Sequence, residues 1–131
     1  MVSENVCNNR GLGDYQQTNP FWMNFLTEMV SINTESKNRI GVEKLLSELA
    51  RFLQRNDFTI KRHKNPDQQF ADLLVAEYGV NKQRYINFIC HADTVFGEDV
   101  DHHIKIQGDR AYGPGVIDNK GGIVVALRGM L

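Results

Sequence analysis

The chain has 131 residues, 41% of them apolar, with 15 Lys and Arg against 16 Asp and Glu, a formal charge of −1. That is enough chain and apolar mass for one ordinary domain, and so even a charge balance gives no reason to expect nucleic acid or an anionic membrane as a partner. Its two cysteines, Cys7 and Cys90, cannot make a multi-bridge framework, so a reducing compartment is compatible.

Residues 1–18 are polar and rich in Asn, Gln and Gly, and read as a flexible leader. They lack an apolar h-region, and no run in the chain is long enough to cross a bilayer, so a cytoplasmic location is expected. Asn19-Pro20 reads as a helix start, because Pro is tolerated in a first helical turn. Phe21, Trp22, Phe25, Leu26, Met29 and Val30 then recur at helical spacing. The stretch Thr34-Glu35-Ser36-Lys37-Asn38 breaks that helix and supplies a cap for the next. Val42, Leu45, Leu46, Leu49, Phe52 and Leu53 form the second stripe, with Glu48, Arg51 and Arg55 on its wet side. Both stripes read as core.

After Asn56-Asp57 the period shortens. Phe58, Ile60 and Arg62 alternate as in a strand with one wet face. Asn65-Pro66-Asp67 makes a turn. Residues 70–78 and 85–90 read as further strands separated by Gly79-Val80-Asn81-Lys82. The mostly apolar Ile86-Asn87-Phe88-Ile89-Cys90 fits a buried central strand. Residues 103–107 suit an edge strand, and a helix begins at Asn119 with its body at 123–131. This order predicts an α/β fold, a layered mixed (mostly parallel) sheet flanked by helices, over residues 19–131.

The chemistry concentrates between Cys90 and Gly122. His91 and Asp93 share a face if the strand runs on to Asp93. A metal-bound imidazole needs its second ring nitrogen held, commonly by a carboxylate, and open α/β sheets gather ligands at the C-terminal edges of their strands. Alone, such a triplet is more often an ordinary loop. Asp118 follows a turn containing Gly113, Pro114 and Gly115 and precedes Lys120-Gly121-Gly122. Glycines let the backbone approach a ligand closely, and a carboxylate can bridge metal ions about 3.5–4 Å apart. The alternative is a Gly-rich hairpin with an exposed Asp.

Two phosphate-binding readings fail. A Walker loop needs Gly before its Lys and Ser or Thr after it, whereas Lys120 lies between Asn119 and Gly121. A dinucleotide loop needs G-x-G-x-x-G straight after a first strand, and Gly113-Pro114-Gly115 lacks the third glycine. Cys90 reads as a small buried strand residue in preference to a thiolate ligand. His102-His103, after Glu98-Asp99-Val100-Asp101, reads as a solvated loop in preference to a stray metal site, and His63 as part of a wet strand face. Arg110 and Lys120 are expected to make turn or helix-end contacts.

In residues, order and spacing, His91-Ala92-Asp93-Thr94-Val95, Gly108-Asp109-Arg110-Ala111-Tyr112-Gly113-Pro114-Gly115-Val116 and Asp118-Asn119-Lys120-Gly121-Gly122 together resemble the M20 family of zinc peptidases. That group holds glutamate carboxypeptidases, aminoacylases and succinyl-diaminopimelate desuccinylase, and the Tyr-Gly-Pro-Gly form looks closest to its carboxypeptidase branch. The resemblance implies that His91 is a ligand of one Zn2+ and that Asp118 bridges two. It implies that Asp93 acts catalytically by supporting and polarising a ligand imidazole, and that the Asp118-Asn119 bond is cis. It further implies a parent enzyme, a homodimer, that cleaves a peptide or N-acyl amino acid bond with a metal-bound hydroxide.

Family members carry a later Glu-Glu pair, general base and ligand, and an inserted dimerisation domain. This chain has no Glu-Glu dipeptide, and no Asp, Glu or His after Asp118. The expectation is therefore an incomplete N-terminal part of a metallopeptidase catalytic domain, inactive alone. Two other readings stand beside it: a naturally truncated, non-catalytic M20-like binding module, and an unrelated α/β binding domain.

Overall fold

The computed structural model describes residues 20–79 and 83–131, so the expected leader at 1–18 lies outside the described residues. Helix α1 (Pro20–Ser31) buries Trp22, Leu26, Met29 and Val30, the stripe read from its spacing. Helix α2 (Arg39–Arg55) starts where the expected cap falls: the Asn38 side chain accepts a hydrogen bond from the Gly41 amide at 3.1 Å. That satisfies one of the amides a helix start leaves open. The buried face of α2 is Val42, Leu45, Leu46, Leu49 and Leu53. Phe25 of α1 meets Phe52 of α2 with ring centroids 4.9 Å apart, and Phe21 and Trp22 complete the aromatic cluster.

Strands β1 (Thr59–His63) and β2 (Leu73–Glu77) pair antiparallel, Lys61 opposite Val75, and both pack against α2. Lys61 bonds Glu77 across the pair at 2.9 Å, and Arg62 reaches Glu43 on α2. Strands β3 (Lys105–Gln107) and β4 (Arg110–Tyr112) form a hairpin around Gly108, whose φ of 61° suits a tight turn. The expected edge strand at 103–107 is thus half of a hairpin, and its partner was not foreseen. Helix α3 (Lys120–Met130) packs on α1 and sends Ile123 and Leu127 into the core.

Helices and strands therefore mix as an α/β chain should, but a mostly parallel sheet does not form among the described residues. Both sheets are two-stranded antiparallel pairs. The expected central strand at 85–90 belongs to neither, and Ile86 and Ile89 are 85% and 93% exposed. An apolar run becomes a central strand only when strands flank both its edges. Here β1 and β2 pair with each other, and no described strand pairs with 85–90. A groove of about 1360 Å³ is lined by α2, β2, α3 and residues 84–88 and 90–93, so His91 and Asp93 are part of its wall.

Candidate functional site

The connector between α1 and α2 organises one side of the site. Thr94 donates its amide to the Thr34 carbonyl at 2.8 Å, and the Ser36 amide donates to the Thr94 carbonyl at 3.0 Å. These bonds make an isolated parallel bridge between Glu35 and Thr94. The Ser36 hydroxyl donates to Asp93 Oδ2 at 2.5 Å. Asp93 Oδ1 in turn lies 3.3 Å from His91 Nδ1, and the Asp93 carbonyl lies 3.0 Å from the same nitrogen.

The other ring nitrogen, His91 Nε2, lies 2.8 Å from Asp118 Oδ1. Both ring nitrogens thus face oxygens that only accept. The arrangement favours the doubly protonated imidazolium and raises the His91 pKa above its ordinary 6.5. The hydrogen bond to Asp118 is the largest cause; partial burial opposes it, and the Asp93 carbonyl and the two carboxylate charges add to it. The Asp118 side chain is 83% exposed and that of His91 49%, so the pair sits at an open rim.

Asp118 is delivered by the glycine turn. Gly115 has φ +78°, and a Cβ there would lie 2.9 Å from Thr94 Cγ2 and 3.1 Å from Lys120 Cδ, so only glycine lets the turn lie this close. The Asp118–Asn119 peptide bond is cis. Below the turn Lys120 is fully buried. Its Nζ donates to the Ile32 carbonyl, just past the end of α1, at 2.9 Å, and its amide donates to the Gly115 carbonyl at 2.7 Å. Burial pushes its pKa down to about 8. The hydroxyls of Thr34 and Thr94 are buried in the same seam without a hydrogen-bond partner.

The structure thus brings His91, Asp93 and Asp118 together. Among the described residues no group of three or more His, Cys, Asp or Glu side chains is arranged to hold a metal ion. Cys90, expected to be buried, is exposed, because its segment pairs with no strand. His102 Nε2 donates to the Gly97 carbonyl at 2.9 Å. His103 Nδ1 lies 2.5 Å from Asp101 Oδ1, and its side chain is 84% exposed. Its hydrogen bond, then that of Lys105, holds the Asp101 carboxyl below its ordinary range. These contacts are those of a surface loop.

Lys120 does make the expected turn and helix-end contacts, though its complete burial had no sequence signal. Ser36 was missed outright: a serine before a helix cap is commonplace, and its partner lies 57 residues away.

No family model matches the chain. It is 29% identical over 104 residues to Carboxypeptidase G2 from Pseudomonas sp. (strain RS-16), an alignment covering 78% of this chain and 25% of that enzyme. The similarity is to a hydrolase of the carboxypeptidase kind, at low identity. The chain spans about a quarter of the length of that relative.

Proposed function

We propose that this chain is the N-terminal part of the catalytic domain of an M20-type zinc peptidase or amidohydrolase, carboxypeptidase-like and cytoplasmic, acting on a peptide or N-acyl amino acid bond. The observation that carries the reading is the 2.8 Å approach of His91 Nε2 to Asp118 Oδ1. Similarity to Carboxypeptidase G2 supports it. In this reading residues 85–90 are one strand of a layered sheet that other parts of a longer protein complete.

The donor chemistry fits one edge of a zinc site. An imidazole nitrogen and a carboxylate oxygen are ordinary zinc donors, and here they converge on one point from two loops. His91 and Asp118 would hold the ion, and Asp93 would fix the His91 ring through Nδ1. Zinc held there supplies Lewis-acid polarisation of a scissile carbonyl. His91 must first give up the proton that it shares with Asp118, so ion binding competes with protonation.

A structural or catalytic zinc takes about three or four protein ligands, more than this pair supplies, so the isolated chain is expected to bind metal weakly and to turn over no substrate. Calorimetric titration with zinc tests the site. The chain should bind the ion, binding should weaken as pH falls, and His91→Ala and Asp118→Ala should each abolish it. Binding that survives both substitutions would remove the reading.

A further inference from the structure

We infer that the connector from Ile32 to Ser36 is the common anchor for both halves of the candidate site, acting through two positioning residues, Ser36 and Lys120. The inference deepens the proposed metal centre and rests on that reading. The halves come from separate stretches of chain: His91 and Asp93 follow the unpaired segment, and Asp118 ends a glycine turn. Among the described residues, hydrogen bonds tie each half to the same short connector.

For the first half the tie has a side-chain and a backbone component. The Ser36 hydroxyl bonds Asp93 Oδ2 at 2.5 Å, leaving Oδ1 toward His91 Nδ1. The bridge from Thr34 and Ser36 to Thr94 fixes the backbone next to that carboxylate. A carboxylate held at one oxygen can present the other to a ring nitrogen in a fixed direction, and this is how an outer partner sets the orientation of a ligand imidazole.

For the second half the tie is Lys120. A fully buried ammonium costs free energy, and hydrophobic replacement of such a group is often neutral or stabilising. Its placement therefore calls for a reason other than packing. The Nζ reaches the Ile32 carbonyl at 2.9 Å, while the amide of the same residue holds the Gly115 carbonyl at 2.7 Å. Asp118 lies in the short turn that the Lys120–Gly115 bond closes, and that turn carries it to His91. Neither Ser36 nor Lys120 touches a reacting atom in this scheme. They set the distance between groups that do.

The test compares the 131-residue chain with Ser36→Ala, Ser36→Thr and Lys120→Met by three measurements. Zinc titration reads the assembled site. Long-range ¹⁵N–¹H spectra of the His91 ring, recorded without metal, read its protonation and hydrogen bonding. Thermal unfolding reads stability. Ser36→Ala should weaken zinc binding about 10–100-fold, the range seen when outer partners of a ligand histidine are removed. It should also shift the His91 ring resonances, and Ser36→Thr, which keeps the hydroxyl, should restore both. Lys120→Met should lose zinc affinity and move the His91 resonances while its melting midpoint stays level or rises. That combination separates positioning from bulk stability.

If Ser36→Ala and Lys120→Met leave both zinc affinity and the ring spectra as they are in the parent, the connector has no positioning role. If the parent itself does not bind zinc, the metal reading fails. The metal-free ring spectra then still decide on the connector by the same shifts.

Discussion

The half of the molecule built from α1, α2, β1 and β2 and the stretch from Tyr85 to Phe96 have opposite outcomes, although the stretch is the more apolar of the two. In the first, Leu45 and Val30 are wholly buried, and α2 both starts on a side-chain cap and packs against the β1–β2 hairpin. In the second, Tyr85, Ile86, Ile89 and Val95 are all at least 65% exposed. The difference lies in where each residue finds its partner. A helix closes its own backbone hydrogen bonds and needs one apolar surface nearby, and a hairpin finds its mate a few residues on. A central strand depends on neighbours that sequence proximity does not supply.

The contrast can be broken or sharpened experimentally. The largest effect is expected at Leu45, where Leu45→Ala should cost about 2–5 kcal/mol in urea unfolding, as for other fully buried leucines. A loss below about 1 kcal/mol would mean that the helical half is not the stable part. Next comes the cap: Asn38→Ala should cost about 1 kcal/mol, because the Gly41 amide loses its acceptor. Helix content followed by circular dichroism checks it, and an unchanged unfolding curve would contradict the capping role. At Ile89, 93% exposed, substitution by Ser should change stability by less than about 0.5 kcal/mol. A cost near that of Leu45→Ala would show that residues 85–90 are packed in solution, and would erase the contrast.

The smallest effect concerns pH. The His91 pKa is raised in the folded chain, chiefly by its hydrogen bond to Asp118. Folding therefore gains from this group below its ordinary value of 6.5, and that gain is lost as pH rises through the raised value. The half-exposed ring keeps the gain small. Thermal midpoints of the parent and of His91→Gln should differ most at mildly acid pH and converge in alkali. A difference that grows with pH would reverse the sign.

Much of this was legible in the sequence, and the unread parts share a cause. The stripes that begin at Phe21 and at Val42 gave α1 and α2, because helical period is a local property. The alternation at Phe58, Ile60 and Arg62 gave β1 for the same reason. Strand β4 has only three residues, too few to show a period. The segment around Ile89 looks like a central strand by composition, yet composition does not say whether neighbours are present. At the site, His91 and Asp118 could be paired on paper through the family resemblance that their two motifs carry together, since neither motif alone pointed beyond an ordinary loop. The bonds of Ser36 to Asp93 and of Lys120 to Ile32 could not be read there, because each reaches a residue far along the chain.

The bond from Lys120 to Ile32 spans 88 positions and that from Ser36 to Asp93 spans 57. Ring closures of that length carry a larger entropy cost than any turn or hairpin in the chain, and contacts so remote in sequence tend to form slowly. The pocket chemistry should thus be the last property acquired during folding, arriving after α2 and its hairpin are already protected from hydrogen exchange. Clipping away the first helix together with the loop behind it would leave every candidate ligand on the polypeptide yet deprive both clusters of a shared foundation.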